Sequence, residues 1–350
     1  MLTYLFKKII YSLSVLLGVI VLVFVLFNIS ADNAASMTMG QRTDTKSIEA
    51  INKEFGLDKP MATRLLLYIN DLMPISIYED NNENQIKYKY IHLVQFSNKA
   101  VVIKKPYLRQ SYQSRQSVYD IVASSLVGTF ILAFAAMFFA TLVGIFLGVI
   151  CSIYKDKWQD KTILLVSTIG ISLPSFFAAI IISWLFGFYL SKYTVLDMTG
   201  SFLDYDLETG NYIRWRNIIL PAFTLGIRPL AIIIQLTRSS MLEVLQQDYI
   251  RTAKAKGLSL FEVVKRHALP NALNPVITAI SGWFASLMAG AFFVEYVFNW
   301  KGIGKVTVEA LDKSDLPVVM GAVVAVASMF VIVNLLVDIS YRWLDPRIRE

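Results

Sequence analysis

The chain has 350 residues, of which 55% are hydrophobic and 17% are charged, and its formal net charge at pH 7 is +7. Its mean hydropathy is +0.54, and soluble globular domains carry about 25% charged residues. This composition excludes a soluble globular protein and indicates a protein of the lipid bilayer. The single cysteine, Cys151, excludes a disulfide framework or a cysteine metal site within the chain.

Six stretches are long and apolar enough to cross a bilayer, because a spanning helix needs roughly 18 or more predominantly apolar residues. They cover residues 9–29, 121–151, 163–190, 218–236, 273–294 and 318–336. We therefore predict an all-α polytopic membrane protein with six transmembrane helices. The first stretch is interpreted as an uncleaved anchor, because its length exceeds the roughly 7 to 15 apolar residues of a signal peptide.

Lysine and arginine collect in the segments that precede the first predicted span or follow the second, fourth and sixth spans. Lys7 and Lys8 precede the first span, and Arg238, Arg251 and Lys254 follow the fourth. Cytoplasmic loops carry such an excess of basic residues. Both termini are therefore predicted to be cytoplasmic.

Three regions follow from these spans: the N-terminal helix, residues 1–29; an extracytoplasmic subdomain, residues 30–120; and a five-helix core, residues 121–350. The subdomain is too polar to enter lipid. Its apolar residues have a helical period over 45–72 and alternate over 86–94 and 100–103, which predicts a small α+β insert with a β-hairpin. The insert is either a structural cap or a contact for a substrate-delivering protein.

Small residues and prolines mark the second to fourth predicted spans. Gly144 and Gly148 form a GxxxG pattern that lets another helix approach closely. Pro174, Pro221 and Pro229 interrupt helical hydrogen bonding and are predicted to kink the third and fourth spans.

Reactive groups of the common enzyme classes are missing from the sequence. The two histidines, His92 and His267, are predicted to lie on opposite sides of the membrane, and no HExxH motif occurs. Residues 302–305 resemble a phosphate-binding loop, but Val306 stands where a magnesium-binding Ser or Thr is needed. The sequence therefore predicts no catalytic residue, no metal site and no nucleotide hydrolysis by this chain.

Residues 241–270 form a basic, amphipathic segment between two spans, which we call the bent segment. Apolar residues at helical spacing predict a first helix that includes Leu242, Leu245, Tyr249 and Ala253. Gly257 permits a left-handed turn that ends this helix.

A second short helix is predicted from Ser259 to Ala268, with Glu262 completing a capping box before Leu269. One alternative is a helix that lies on anionic lipid. The acids interspersed among the basic residues disfavour that alternative.

The run DYIRTAKAKGL at 248–258, followed by RHALPNA at 266–272, resembles the cytoplasmic signature of ABC importer permeases, specifically of the dipeptide, oligopeptide and nickel branch. In that signature an EAA triplet is followed by a glycine and, further on, by Leu-Pro. The residues that match in spacing are Ala253, Gly257, Leu269 and Pro270, while Arg251 and Thr252 replace the Glu and the first Ala. Further matches lie at 17–19, 55–60, 236–241 and 344–349.

Two departures from the family pattern stand out. Residues 298–302 read FNWKG where the family usually has a Pro-Gly pair after the Phe. The insert at about residues 75–112 is longer than the family norm.

The resemblance implies a subunit that pairs with a second, similar permease, two cytoplasmic ATP-binding subunits that hold ATP and Mg, and an extracytoplasmic solute-binding protein. These would assemble in the bilayer of the bacterial cytoplasmic membrane, and no nucleic-acid partner is expected. The bent segment would lie in a groove of one ATPase. The residues expected to couple to it are Glu243, Asp248, Arg251, Ala253, Lys254, Gly257, Leu258, Phe261, Leu269 and Pro270.

Arg228 lies inside the fourth predicted span, ten residues before Arg238 and hence about 15 Å deeper by helical rise. An arginine at such depth must face protein or water. It either lines the substrate pathway, where it would attract a carboxylate, or forms a structural contact near the kink at Pro229.

The function that the sequence and the resemblance predict together is a permease subunit of an ATP-driven importer of peptides or related small solutes, working by alternating access. A nickel-chelate permease is one alternative, because such members share the same signature. A secondary transporter is another, although intramembrane coupling carboxylates and an inverted repeat are not evident. An intramembrane enzyme is disfavoured by the missing nucleophile and base.

Overall fold

A computed structural model describes residues 2–38, 59–96, 99–206, 210–289 and 291–344. The predicted helical residues 45–58 and the matching residues 345–349 lie outside the described residues. The helices are α1 (Leu2–Thr38), α2 (Met61–Leu72), α3 (Asn82–Tyr88), α4 (Val118–Ile153), α5 (Trp158–Ser172), α6 (Ser175–Trp184), α7 (Ser191–Thr194), α8 (Ile219–Val244), α9 (Asp248–Ala255), α10 (Leu260–Val263), α11 (Leu269–Ala289), α12 (Phe292–Val297), α13 (Ile303–Asp312) and α14 (Leu316–Leu344). The strands are β1 (Ile75–Glu79), β2 (Ile91–Phe96), β3 (Lys99–Ile103), β4 (Leu203–Asp206) and β5 (Gly210–Ile213).

Four helical stretches among the described residues are, by length and composition, able to cross a membrane. They are Phe6–Phe27, Val118–Ile153, Trp215–Val244 and Leu316–Ile339. These correspond to the first, second, fourth and sixth predicted spans, and the all-α membrane fold is confirmed.

The third predicted span is a bent pair of helices rather than one kinked helix. The pair Trp158–Ser172 and Ser175–Tyr189 turns by 109°. Leu173 and Pro174 cause the break: Pro174 donates no backbone hydrogen bond, and the residue before a proline is forced towards extended backbone, as the ψ of 132° at Leu173 shows. By contrast, α8 runs uninterrupted through Pro229, and Pro221 lies in its first turn, where no helical hydrogen bond is lost.

The fifth predicted span, residues 273–294, is not a single helix. It falls on α11, which ends at Ala289, and on the separate short helix α12. The start of α11 carries Asn271, Asn274 and Pro275, which dilute its apolar character, and α11 is not among the helices that meet the spanning criterion. The predicted count of six spans is therefore not confirmed.

The GxxxG pattern in α4 packs directly against α8, as the sequence predicted. A Cβ atom at Gly144 would lie 2.7 Å from Cγ2 of Ile233, and one at Gly148 would lie 2.5 Å from Cβ of Thr237. No methyl group fits between the two helices at these points. Such close backbone approach is how helices associate in lipid, where apolar side chains gain nothing by leaving the bilayer.

The chain divides into two compact units, one formed by Met1–Ser125 and Val306–Val331 and the other by Leu126–Lys305 and Ile332–Glu350. Within the first unit, α1 and α2 pack with part of α14. Their shared apolar core consists of Ile20, Val23, Phe24, Tyr68, Met320 and Val324.

The first unit also contains a three-stranded antiparallel sheet in the order β1-β3-β2. The alternating pattern over 86–94 predicted a strand, but residues 86–88 end helix α3 and the strand begins at Ile91. Local capping explains the difference, because Asn81 accepts a hydrogen bond from the backbone N–H of Asn84 at 2.7 Å and starts α3. Lys89, in the left-handed conformation, ends it. Strand β1, which pairs with β3, was not predicted.

In the second unit, the glycine-rich run at 302–305 surrounds a carboxylate of the chain itself. Glu295 is fully buried and accepts hydrogen bonds from the Thr129 hydroxyl at 2.7 Å and from the backbone N–H groups of Gly304 at 2.7 Å and Lys305 at 3.3 Å. A Cβ atom at Gly302 would lie 2.3 Å from Oε2 of Glu295. The resemblance to a phosphate loop therefore has a physical basis: the backbone N–H groups of the loop converge on an acceptor, and that acceptor is the carboxyl group of Glu295.

Replacing Glu295 with Ala should destabilise the protein by about 2–5 kcal/mol, because the Thr129 hydroxyl and two backbone N–H groups would be left buried without an acceptor. Denaturant unfolding in detergent micelles measures this change. The exposed Glu243→Ala variant is the matched control and should stay within about 0.5 kcal/mol of the wild type. Equal stability of the two variants would contradict the role assigned to the Glu295 carboxylate.

Candidate functional site

The bent segment begins where α8 ends. The predicted first helix through Leu242 and Ala253 is wrong as a continuous element, because α8 stops at Val244 and α9 starts at Asp248. Backbone of β type at Gln247, with φ −69° and ψ 148°, separates the two helices. The chain therefore has a first change of direction at Gln247, ahead of the turn that the sequence predicted.

That predicted turn is present. Gly257 has a φ of +81°, in the left-handed region that side chains with a Cβ rarely adopt, and nothing lies within 4 Å of where its Cβ would be. The conformation, and not crowding, requires glycine here.

The predicted capping box at the next helix is also present. Glu262 donates its backbone N–H to the Ser259 hydroxyl at 3.3 Å and accepts the Ser259 backbone N–H at 3.0 Å. Hydrogen bonds from the Ser259 hydroxyl and backbone lower the pKa of Glu262 below its usual value. The carboxylate therefore stays ionised at the helix N-terminus, where negative charge is favourable.

The sequence predicted that the second helix ends before Leu269 and Pro270, but the helix continues past both residues. From α10 it passes through the wider π-helical turn Val264–Ala268 and continues as α11. Pro270 cannot donate a hydrogen bond to the preceding turn, and a π-type turn accommodates such a gap. The bent segment is consequently joined to α11 without a loop.

One face of the bent segment forms a packed apolar core with the end of α8 and the start of α11. Ala253 lies in this core, and Leu258 and Leu269 pack against it. The fully or nearly buried members are Met241, Ile250, Ala253, Val263, Val264, Ala268 and Ala272. Leu258, expected to contact a partner, is partly buried and packs against this core.

The other face of the segment is exposed and carries the remaining predicted coupling residues. Phe261 is 72% exposed, and its neighbour Leu260, which the sequence reasoning missed, is 52% exposed. Large apolar side chains left open on a well-packed segment mark an interaction surface. The exposed residues among those predicted also include Glu243, Asp248, Arg251, Lys254, Gly257 and Pro270.

Asp248 and Arg251 face each other across one helical turn, with 3.5 Å between carboxylate oxygen and guanidinium nitrogen. Their side chains are 96% and 76% exposed, so solvent screens the attraction and the pair adds little stability. Both charges are therefore accessible to a partner.

A buried ion pair beside the segment was not predicted. Arg238 of α8 donates from Nε and Nη2 to the two carboxylate oxygens of Asp160, both at 2.7 Å, and the Asp160 side chain is 2% exposed. Asp160 also accepts the backbone N–H of Asp156. The two residues are 78 positions apart in the sequence, so no local sequence pattern marks the pair.

Arg228 lines a cavity of about 110 Å³ in the second unit, at the break between α5 and α6. Leu173 and Ser175 from that break lie on one wall, and Trp283 of α11 lies on another. Arg228 is exposed, and no hydrogen bond or ion pair is found for it among the described residues. The structural contact that was one of the two alternatives is thus not seen within the described part of the chain.

Comparisons with known proteins match nearly the whole chain to one family. The family model of the binding-protein-dependent transport system inner membrane component matches residues 140–350, and a model for the N-terminal part of such membrane components matches residues 1–133. The dipeptide transport system permease protein of Alkalihalophilus pseudofirmus is 30% identical over 100% of both chains. The di/tripeptide transport system permease protein of Pseudomonas aeruginosa is 34% identical over 95% of this chain and 94% of its own.

A third relative, the glutathione transport system permease protein of Salmonella typhi, is 30% identical over 100% of this chain and 99% of its own. Among solved structures, a chain of the MetNI methionine ABC transporter in inward-facing conformations has a TM-score of 0.51 and 15% identity. It covers 64% of this chain and 96% of its own length. That likeness concerns the fold alone.

Replacing Asp160 with Ala should cost about 3 kcal/mol of stability, at the low end for a broken buried pair because Arg238 is 22% exposed. The double variant Asp160→Ala with Arg238→Leu should be less destabilised than the single variant, since no buried charge is left unpaired. Denaturant unfolding in micelles tests both. A double variant that is as unstable as the sum of the two single variants would show that the two side chains do not act as a pair.

Proposed function

This chain belongs to the family of binding-protein-dependent transport system inner membrane components, and we propose that it is the membrane-spanning permease subunit of an ATP-driven importer of di- or oligopeptides. The observation that carries the proposal is the match, over nearly the whole chain, to relatives named for dipeptides, di- and tripeptides and glutathione. All of these solutes are short peptides. Each also carries at least one carboxylate.

The subunit works by alternating access and performs no covalent chemistry. ATP and Mg are held by partner ATPases. The only nucleotide-like motif, at 302–305, supports this assignment, because its backbone N–H groups are used by Glu295. The work of hydrolysis must therefore enter the chain through a contact with a partner.

The bent segment is that contact. Its exposed Leu260 and Phe261 would fill a groove on an ATPase, and the charged residues around them would form the polar rim. Met241 of α8 and Ala272 of α11 share the core beneath. Because close-packed interiors transmit displacement instead of absorbing it, a push on Phe261 moves both helices.

The full assembly we propose contains a second, similar permease, two ATP-binding subunits and an extracytoplasmic solute-binding protein. It lies in the bacterial cytoplasmic membrane with both termini of this chain in the cytoplasm. The basic residues of the bent segment and of the loop before α5 support this orientation.

Arg228 forms part of the peptide pathway in this proposal. Its exposure, its place at the break in the α5 and α6 pair, and the cavity beside it support the assignment. A guanidinium group there would attract a peptide carboxylate through charge-assisted hydrogen bonds.

Replacing Gly257 with Pro should abolish copurification of the ATPase and ATP-dependent uptake, because proline fixes φ near about −65° and cannot form the left-handed turn. Gly257→Asn is the matched control, since asparagine tolerates that conformation, and it should retain both activities. Pull-down of the ATPase from solubilised membranes measures the effect.

A second variant, at an exposed side chain, distinguishes loss of the ATPase contact from misfolding of the Gly257→Pro protein. Phe261→Asp changes an exposed side chain and should also lose the ATPase while keeping wild-type stability. Retention of the ATPase by both variants would contradict the assignment of the bent segment as the coupling contact.

Replacing Arg228 with Gln should weaken transport of a dipeptide by about tenfold or more in apparent affinity, because a charge-assisted hydrogen bond contributes roughly 1.5–3 kcal/mol. Arg228→Lys keeps the charge and should lose less. Uptake into proteoliposomes, with the dipeptide amide as a second solute, provides the measurement. Equal loss for the dipeptide and for its amide would rule out a carboxylate contact.

A further inference from the structure

The insert between α2 and α4 contains a cavity of about 450 Å³, wholly within the first unit. Its walls come from the end of α3 and from residues 105–110 and 117–120. Pockets for small ligands begin at about 300 Å³, so this volume holds a solute of di- or tripeptide size. The cavity lies in a part of the chain that the proposed transport cycle does not use.

Positive charge dominates the cavity. Lys87, Lys89, Lys105 and Arg109 line it, against the single acid Asp120. Walls that carry one sign of charge concentrate ions of the other sign. The cavity is therefore built for an anionic group.

Asp71 does not line the cavity, but its charge interacts with the lining cations Lys87 and Arg109 as well as with Lys104. Its carboxylate accepts a hydrogen bond from the Tyr78 hydroxyl at 2.8 Å, and it lies beside the buried Lys104. Burial raises the pKa of Asp71, and burial lowers the pKa of Lys104 to about 8. Four lining cations therefore still outnumber the two acids, Asp120 and Asp71, that act on them.

Aromatic rings hold two of the lining cations in place. Lys87 Nζ lies 5.2 Å from the centroid of the Tyr88 ring and 5.4 Å from that of Tyr107, and Lys105 Nζ lies 5.4 Å from that of Tyr119. A cation over a ring is attracted by the negative face of the ring. The same three rings line the cavity and offer apolar faces to a ligand.

Two of the lining cations are attached to backbone in a costly conformation. Lys89 has a φ of 46° and Arg109 a φ of 67°, both in the left-handed region where glycine or asparagine is preferred. The Lys89 N–H bonds the carbonyl of Gln85, and the Arg109 carbonyl accepts the N–H of Val118 at 3.0 Å. Strain of this kind persists where the surroundings fix it, and it clusters at ligand sites.

We propose that this cavity binds a small solute that bears a carboxylate next to an apolar or aromatic group. The choice of a short peptide as that solute rests on the proposed function. The cationic side chains hold the carboxylate, and the tyrosine rings hold the neighbouring side chain. The site is separate from the cavity at Arg228, which lies in the other compact unit.

The test uses the full chain in lipid nanodiscs, without solute-binding protein or ATPases. Isothermal titration with alanyl-phenylalanine and with its C-terminal amide compares ligands that differ in the carboxylate. We expect the acid to bind more tightly than the amide by about tenfold or more. Added salt should weaken the binding of the acid more than the binding of the amide. This comparison needs no variant and so cannot fail through misfolding.

Charge reversal then locates the site. The Lys87→Glu, Lys105→Glu double variant changes two exposed side chains of the cavity lining. It should bind the acid more weakly than the wild type by about tenfold or more. Lys59 is an exposed lysine outside the cavity, and the Lys59→Glu control should bind the acid within about twofold of the wild type. Equal binding of acid and amide by the wild type, or equal binding of the acid by the double variant and the Lys59→Glu control, would overturn the proposal.

Failure of the proposed function has a different signature. If the assembled complex does not take up dipeptides but the lysine-dependent preference for the acid persists, the cavity stands and the transport assignment does not. If uptake is normal and that preference is absent, the transport assignment stands and the cavity proposal is overturned.

Discussion

The contact between α4 and α8, which leaves no room for a methyl group at Gly144 or Gly148, is the constraint on which the second unit depends. In lipid, apolar side chains gain nothing by burial, so helices stay together through close van der Waals contact. Because Ile233 and Thr237 fill these two points, α8 is held against α4 over this helical turn. Along α8, Arg228 comes before this contact, whereas Arg238 and the bent segment come after it.

A fixed α8 gives the bent segment something to act upon. The Asp160 and Arg238 pair ties the start of α5 to α8 within one helical turn of Met241, where the segment's core begins. A movement of the segment is therefore carried both to α8 and to the helix whose far end breaks at Pro174. That break borders the cavity at Arg228, so the proposed input and the proposed pathway are joined by helices and not by loops.

Sequence patterns predicted the features that depend on near neighbours. The turn at Gly257 and the capping box of Ser259 and Glu262 are decided within four residues, and the GxxxG face is readable from one helix alone. The Asp160 and Arg238 pair joins residues 78 positions apart, and no local pattern marks it. The same limit explains why strand β1 was not predicted, since its partner β3 follows only after an intervening helix.

The loop at 302–305 shows why a motif can be physically right and functionally misleading. Glycines there let successive backbone N–H groups converge on an anion, which is the property that phosphate-binding loops exploit. The sequence of the loop cannot specify which anion arrives, since Glu295 and Thr129 are brought there by the fold. Because the chain supplies its own carboxyl group, the hydrogen bonds of the loop connect α12 to the start of α13.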